Sequence, residues 1–298
     1  MNQSTRYAIV TGGNRGIGYE TAKALAAQNV HVVIAARNLE RGEASAAAIR
    51  NSVVNAQVEV MQIDLASPTS VRQFVEQYKA RKLPLHILIN NAGYIGLDKQ
   101  LHFTPDGFEL EFGTNHLGHF LLTNLLLPVL QASTPARVIT VSSIRHMPGK
   151  GGKGAKFDFD NLKGEKWYDP RIFYNNTKLA NVWFAYELQR QVAGTGITSI
   201  AVCPGFVPET FGVTKTGFAR WFYSKALMLI PSARTADVSG KELAALALNP
   251  EFANSGGKFF ANGKEIRSSD ESYDETKAKR LWKLSEQLTM PETVVKVS

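Results

Sequence analysis

The chain of 298 residues has a single cysteine, Cys203, so no intrachain disulfide is possible and a reducing compartment suits it. Cys203 stands between Val202 and Pro204 without the residues that surround nucleophilic cysteines, which favours a small buried residue over a catalytic thiol. No stretch reaches about 18 uninterrupted apolar residues, so no membrane-spanning helix is expected. The first predicted strand begins at Tyr7, so we expect neither a signal peptide nor an N-terminal membrane anchor. We expect a cytoplasmic protein and leave open a peripheral contact with a membrane.

Basic residues outnumber acidic ones, for a formal net charge of +8, but they are not gathered on one helix or stripe. The densest basic run, at 150–156, mixes lysine with glycine and resembles a surface loop. We therefore expect no nucleic-acid partner, and a basic surface instead favours a ligand with several phosphates. His116 and His119 lie three positions apart on a predicted helix without a third ligand at suitable spacing, so no metal site is expected.

Short apolar runs alternate with longer helix-like segments along the whole chain. This alternation predicts an α/β fold with a doubly wound parallel sheet, a Rossmann fold, as a single domain over 1–298. The predicted strands are 7–10, 31–35, 57–63, 86–89, 137–141, 198–202 and 258–260. The predicted helices are 19–27, 39–51, 70–81, 112–130 and 172–193.

A glycine-rich turn follows the first predicted strand, with Gly12, Gly16 and Gly18 ahead of the first helix. A strand, a glycine turn and a helix in this order expose helix N-terminal amides to a pyrophosphate. The spacing is Gly-x3-Gly-x-Gly rather than the commoner G-x-G-x-x-G, so the motif alone also allows a plain tight turn. With its position near the N-terminus, we interpret it as a dinucleotide-binding turn.

Tyr174 and Lys178 lie four residues apart and share one face of the predicted helix 172–193. A phenol with its ordinary pKa of about 10 is a poor proton donor at neutral pH. One ammonium about 4 Å away supplies about 4 kcal/mol at an effective dielectric near 20, enough to lower that pKa by about 3 units. The spacing therefore predicts that Tyr174 can act as a general acid.

The end of the second predicted strand indicates which dinucleotide is bound. Sites that prefer NAD carry an acid there to hold the ribose 2′-hydroxyl, whereas this strand ends at Arg37, with no acid before Glu40. Arg37 can pair with a 2′-phosphate through two hydrogen bonds, and Arg15 can approach the same group. Two solvated arginines are the alternative. We predict NADP(H) as the cofactor.

These motifs occur together in an order that resembles the short-chain dehydrogenases/reductases over nearly the whole chain. Within that family the pattern is most similar to the retinol dehydrogenase and WW-domain oxidoreductase branch, with features of the protochlorophyllide reductases. The resemblance implies hydride transfer between a nicotinamide and a carbonyl or alcohol group. The matching segments are Thr11–Gly18, 64–65, 90–93, 115–120, 141–143, Tyr174 with Lys178, and 204–205.

The resemblance assigns catalytic roles to four residues. Tyr174 would donate the proton and Ser143 would hydrogen-bond the substrate oxygen, with Ser142 as an alternate for Ser143. Lys178 would lower the tyrosine pKa and bind the nicotinamide ribose. Asn115 would hold a water that links Lys178 to solvent.

The resemblance also implies a set of cofactor-binding residues around the ends of the strands. Asp64 would contact the adenine ring, and Thr210 would bond the carboxamide, although the residues before Thr210 are an unusual approach to it. The full set is Gly12, Asn14, Arg15, Gly16, Ile17, Gly18, Arg37, Asp64, Leu65, Asn91, Ala92, Gly93, Tyr174, Lys178, Pro204, Gly205, Val207 and Thr210.

The apolar and aromatic stretch within 206–232 occupies the place of the family's substrate lid, which implies a hydrophobic carbonyl or alcohol substrate such as a retinoid, steroid or fatty aldehyde. Two other functions stay open, a light-dependent protochlorophyllide-type reductase and a non-enzymatic interaction protein that senses a dinucleotide. The resemblance implies a possible homo-oligomer, since many members of that family form dimers or tetramers through the helices that correspond to 112–130 and 172–193. The helical C-terminal segment 270–290 could instead cover that surface, so the oligomeric state stays open.

Overall fold

The computed structural model describes residues 5–96, 100–149, 154–208, 230 and 232–290. The strands are β1 (Tyr7–Thr11), β2 (His31–Ala36), β3 (Val58–Gln62), β4 (Ile87–Asn90), β5 (Ala136–Val141), β6 (Ile197–Cys203), β7 (Phe259–Ala261) and β8 (Lys264–Ile266). The α-helices are α1 (Gly16–Ala26), α2 (Leu39–Ser52), α3 (Pro68–Ala80), α4 (Leu110–Phe112), α5 (Gly118–Ala132), α6 (Pro170–Gln191), α7 (Ala236–Leu248) and α8 (Glu275–Thr289).

The described strands form one eight-stranded sheet in the order β3-β2-β1-β4-β5-β6-β7-β8. All neighbours pair in parallel except β7 and β8, which are antiparallel. The predicted single-domain, doubly wound Rossmann fold is thus confirmed. Strand β8 was not predicted, because Lys264–Ile266 is short, exposed on all three residues and without an apolar pattern.

The sheet is buried on both faces, as expected of parallel strands covered by helices. One apolar cluster fills the side of α3, α5 and α6, with Phe74, Leu126 and Phe184 among its members. A second cluster fills the side of α1, α2 and α7, and includes Leu25 and Leu243. No helix among the described residues is long and apolar enough to cross a membrane.

Helices α3 and α6 begin two residues before their predicted starts, because capping residues rather than apolar periodicity set them. Asp169 accepts a hydrogen bond from Arg171 N and precedes Pro170, so α6 begins at Pro170 rather than at 172. The predicted helix 112–130 also differs. It begins with the single turn α4, passes through a π-helical turn at Gly113–Leu117 and only then continues as α5.

Helix α8 packs against α6 and α5 and so covers the surface through which the family resemblance implied assembly. Trp282 of α8 lies parallel to Phe184 of α6, with ring centroids 5.8 Å apart. The same indole meets Phe120 of α5 edge-on at 4.9 Å. A single side chain therefore joins three helices, one of which carries Tyr174 and Lys178.

We expect Trp282→Ala to lower the free energy of unfolding by about 3–5 kcal/mol, because it leaves a cavity between α5 and α6. Urea denaturation measures the change. Lys283→Ala, at the neighbouring exposed position, is the matched control and should leave stability within about 0.5 kcal/mol. Equal stability of the two variants would contradict the packing described.

Candidate functional site

The candidate site lies where the carboxyl ends of β1 and β4 meet. Strand order reverses between these two strands, which is where open α/β sheets bind ligands. The residues predicted from four separate motifs come together along this edge. The glycine turn follows β1, Asn91 follows β4, Ser143 follows β5 and Pro204 follows β6.

The glycine turn leaves the N-terminus of α1 open. Gly12 and Gly16 have φ of +64° and +53°, a left-handed conformation that favours glycine. A Cβ on Gly18 would overlap the Gly12 carbonyl oxygen and the Asn91 side chain. Arg15, at the N-cap, makes no side-chain capping bond, so it leaves the first amides of α1 for a ligand. Asn14 and Ile17 complete the turn, and the Asn14 carbonyl accepts a hydrogen bond from Ser45 Oγ at 2.9 Å.

Thr11 ties the glycine turn to the segment after β4. Its hydroxyl oxygen accepts hydrogen bonds from Asn91 N at 2.9 Å and Ala92 N at 3.0 Å. Asn91 Nδ2 in turn donates to the Thr11 carbonyl at 2.8 Å. Two of the predicted cofactor-binding residues, Asn91 and Ala92, therefore also join the loop after β4 to the glycine turn.

Arg37 and Arg15 are both exposed at this edge. The Arg37 carbonyl accepts a hydrogen bond from Gln62 Nε2, whereas neither guanidinium forms an ion pair with any described residue. Asn38, the next residue, caps α2 by accepting from Arg41 N at 2.8 Å. Both guanidinium groups are consequently available for an anion.

Tyr174 and Lys178 share one face of α6, as the spacing predicted. Lys178 Nζ lies 5.3 Å from the centroid of the Tyr174 ring and donates to the Val141 carbonyl at 3.5 Å. Gly93, which is exposed, faces this group, because a Cβ there would lie 3.7 Å from both Lys178 Nζ and Asn115 Oδ1. The segment after β4, the π-helical turn and α6 thus converge on one point.

The two serines after β5 have different roles. Ser142 is buried, and its hydroxyl donates to the Lys178 carbonyl at 2.6 Å, so it is committed to holding α6. The Ser143 side chain is half-buried and lies close enough to Tyr174 to lower the pKa of its hydroxyl. The Ser143 hydroxyl is therefore the less committed of the two, and its role in the reaction stays a prediction.

The pKa of Tyr174 differs from what the Tyr174–Lys178 spacing predicted. Burial raises the pKa of Tyr174, and the Cys203 thiol and the Glu111 carboxyl act in the same direction. Arg145 and the Ser143 hydroxyl oppose this rise without outweighing it. Burial also lowers the pKa of Lys178 to about 8. The predicted lowering of the Tyr174 pKa was therefore wrong, because desolvation of the buried phenol outweighs the charges around it.

Asn115 lies in the π-helical turn, where Gly118 N bonds to the Gly113 carbonyl five residues earlier. Its side chain is bonded at both ends. Asn115 Nδ2 donates to the Tyr94 carbonyl at 2.8 Å, and Oδ1 accepts from Tyr94 N at 2.7 Å. Such single π turns inside α-helices are frequent at functional sites. The turn sets Asn115 beside Lys178 instead of directing it along the regular helix.

The remaining predicted cofactor residues lie farther along the same edge. Asp64 stands two residues beyond β3 and accepts from Ala66 N at 3.0 Å. The Leu65 side chain packs in the core, so only its backbone is at the edge. Gly205 has φ +86° and follows the buried Pro204, whose carbonyl accepts from Ser239 Oγ, while Val207 is fully buried. Thr210 and most of the segment 206–232 lie outside the described residues.

Two buried histidines, His119 and His146, connect these residues, and neither was predicted to act at the site. Burial lowers the pKa of His119 to about 4, so the ring is neutral at pH 7. Its Nδ1 bonds the Asn115 carbonyl at 3.1 Å and its Nε2 bonds Thr11 Oγ1 at 2.9 Å. His146 Nδ1 bonds the Ser143 carbonyl at 2.5 Å, and its Nε2 accepts from Ser269 N. The signal was present in the spacing, since each histidine follows its partner by three or four residues.

Comparison with known proteins adds an independent line of observation. The family model described as short chain dehydrogenase matches residues 6–154. Polyprenol dehydrogenase of Homo sapiens is 41% identical over 290 residues, covering 95% of this chain and 85% of that protein. Retinol dehydrogenase 12 of Mus musculus is 38% identical over 280 residues, covering 94% and 85%. The crystal structure of an uncharacterized protein from Mycobacterium Paratuberculosis superimposes with a TM-score of 0.74 at 33% identity, covering 96% and 94%.

Proposed function

Because this chain belongs to the short chain dehydrogenase family, we propose that it is an NADP(H)-dependent oxidoreductase acting on a carbonyl or alcohol group of a hydrophobic substrate. The observation that carries the proposal is a group of four side chains, in which Lys178 and Asn115 face Gly93, Tyr174 lies beside Lys178 and Ser143 lies near Tyr174. A sensor without chemistry would have no need of a buried acid–lysine pair at this point.

The described residues fit a nicotinamide dinucleotide. The uncapped amides of α1 suit a pyrophosphate, and Gly12 and Gly16 supply the left-handed conformations of the turn that leads to them. Arg37 and Arg15 would hold the 2′-phosphate of NADP(H), and Gly93 allows close approach to the backbone. When bound, the cofactor supplies or accepts the hydride.

The chain's own residues would handle the proton and the substrate oxygen. In the reductive direction, Ser143 donates a hydrogen bond to the substrate oxygen and steers it toward Tyr174. Tyr174 gives its proton to that oxygen as negative charge develops on it. Lys178 holds positive charge beside the phenol, which stabilises the phenolate left behind. Asn115 keeps the neighbouring turn in place through its two bonds to Tyr94.

A hydrophobic substrate is supported by apolar side chains that stand exposed next to the reacting groups. Ile144, 54% exposed, follows Ser143, and Trp167, 38% exposed, packs edge-on against Phe173, the neighbour of Tyr174. The names of the two relatives, which refer to polyprenol and retinol, point to the same chemical class. Such substrates partition into membranes, so a peripheral membrane contact of a cytoplasmic enzyme is part of the proposal.

The test is oxidation of NADPH and of NADH, in the dark, with retinal, long-chain aldehydes, steroids and small ketones as substrates. Faster turnover with NADPH and the apolar substrates is the expected result. Turnover that requires illumination would replace the proposal with the light-dependent reductase. Tight NADPH binding without turnover of any substrate, in light or dark, would favour the sensor.

The two serines give a matched pair of variants. We expect Ser143→Ala to lower kcat by about 10²-fold or more, because the substrate oxygen loses a positioned donor, with little change in stability. Ser142→Ala should lower the free energy of unfolding by about 1 kcal/mol, because the Lys178 carbonyl loses its bond. Steady-state kinetics and urea denaturation separate the two effects. The reverse pattern would assign the reaction to Ser142.

A further inference from the structure

Two buried glutamates stand on the single turn α4 and its N-cap, and only one of them has hydrogen bonds at both carboxyl oxygens. Glu109 accepts hydrogen bonds at both oxygens, from Glu111 N at 2.9 Å and from Phe112 N at 2.7 Å, and so caps the turn. Glu111 is fully buried, and its Oε1 accepts from Gly96 N at 2.5 Å. Its Oε2 has no hydrogen-bond partner among the described residues.

A buried carboxyl with an unpartnered oxygen destabilises the fold, so its presence calls for an explanation beyond packing. Protonation of the Glu111 carboxyl provides part of that explanation. Burial raises the pKa of Glu111 to about 8, with Glu109 acting in the same direction and Gly96 N–H and Lys178 acting against it. At pH 7 the group is therefore a neutral acid that carries a proton and has no acceptor for it among the described residues.

Lys178 is a buried amine that lacks a counter-ion among the described residues. It is 4% exposed, and among the described residues its ammonium forms no ion pair and only the long 3.5 Å bond to the Val141 carbonyl. Turn α4 packs directly on α6, and Glu111 has the largest electrostatic effect of any acid on Lys178. A buried acid without an acceptor and a buried amine without a counter-ion thus occupy neighbouring elements of one site.

We propose that Glu111 stores the proton that reprotonates Lys178 between turnovers. The proposal rests on the reductive function given above. Once Tyr174 has given its proton to the substrate oxygen, the phenolate takes a proton from the Lys178 ammonium. The O–H bond of Glu111 then breaks as an N–H bond forms at Lys178 Nζ, directly or through water, and the carboxylate regains a proton from solvent.

The pKa values of donor and acceptor, both about 8, make this transfer nearly balanced in free energy. The other ionisable groups around Glu111 do not offer the same path. Glu109 is committed to its two backbone amides, and His102 acts on Glu109 rather than on Glu111. Tyr174 is the proton donor of the reaction itself. The Tyr168 hydroxyl lies on the same side of Gly96 as the Glu111 carboxyl.

The experiment compares Glu111→Gln, which cannot ionise, with Glu109→Gln, the matched buried control. With NADPH and the best substrate of the panel at pH 7, the first turnover in a stopped-flow instrument uses the proton already on Tyr174. We expect Glu111→Gln to leave that first turnover within about twofold and to lower steady-state kcat on the order of tenfold. Glu111→Asp, which keeps a carboxyl, should recover part of kcat. Glu109→Gln should lower stability and keep both rates.

A second readout does not depend on activity. The folded-state pKa of Glu111 lies above its ordinary 4.5, so between pH 4.5 and about 8 the folded protein binds more protons than the unfolded one. The stability of the parent relative to Glu111→Gln should therefore fall as pH rises through this window. Urea denaturation of both proteins at several pH values gives the difference directly.

The outcomes separate the proton store from the proposed function. An active parent with equal steady-state rates in Glu111→Gln overturns the role of Glu111 and leaves the oxidoreductase intact. An equal loss of first and later turnovers also overturns it, since that marks a purely structural effect. A pH-dependent stability difference in a protein that turns over no substrate would keep the buried acid but overturn the oxidoreductase and, with it, the proton store.

Discussion

Replacing Tyr174 with phenylalanine should lower kcat by about 10²–10⁴-fold while NADPH binding changes little, because the variant loses only the proton donor. The ring still fills the same space beside Lys178, so the fold and the glycine turn stay as they are. Steady-state kinetics gives kcat, and fluorescence titration with NADPH gives the dissociation constant.

Tyr186→Phe on the same helix is the matched control. The Tyr186 hydroxyl bonds Ser268 Oγ at 2.7 Å, so this variant should lose about 1 kcal/mol of stability and keep its kcat. A Tyr174→Phe protein that retains most of its turnover would remove Tyr174 from the mechanism. If Tyr174→Phe loses turnover but keeps the biological activity of the parent protein in cells, that result would instead support a dinucleotide sensor.

Exchanging Arg37 for aspartate should weaken NADPH binding by about 10- to 100-fold and leave NADH binding nearly unchanged. The exposed guanidinium provides charge-assisted hydrogen bonds to a 2′-phosphate, each worth roughly 1.5–3 kcal/mol, and a carboxylate in its place repels that phosphate. The carboxylate can also accept a bond from the 2′-hydroxyl of NADH. Titration with each cofactor at fixed ionic strength measures the ratio.

Lys283→Asp makes the same change of charge on the exposed side of α8 and controls for the overall net charge of +8. It should alter neither affinity by more than about twofold, because charges beyond about 10 Å are screened at ordinary salt. Equal losses for NADPH and NADH in Arg37→Asp would mean that Arg37 supports the loop rather than selecting the phosphate.

The strands of the sheet could be predicted closely because buried parallel strands have short, continuous apolar runs in their sequence. Predicted and observed ends of β1 and β2 differ by at most one residue, and the residues expected after the strands all reach one edge. The segment Lys264–Ile266 has no such pattern, since its pairing with β7 depends on backbone position and not on buried side chains.

The site was predictable in its members and less so in its electrostatics. The spacing of Tyr174 and Lys178 placed both on one face, but it carried no information on burial, which raises the pKa of one and lowers that of the other. Glu111 was passed over because it stands just before the predicted helix 112–130, where an acid ordinarily faces solvent. Its burial depends on Gly96 and the π-helical turn, and neither contact leaves a local pattern in the sequence.

The position of Trp282 between Phe120 and Phe184 has a consequence for enzyme at low concentration. An apolar face that a second subunit buries is lost as the protein is diluted, because its stability follows mass action. Here a helix of the same chain buries that face, and the effective concentration of such a tethered helix does not change on dilution. The helix that carries Tyr174 and Lys178 should thus be held in place as well in a dilute assay as in a crowded compartment.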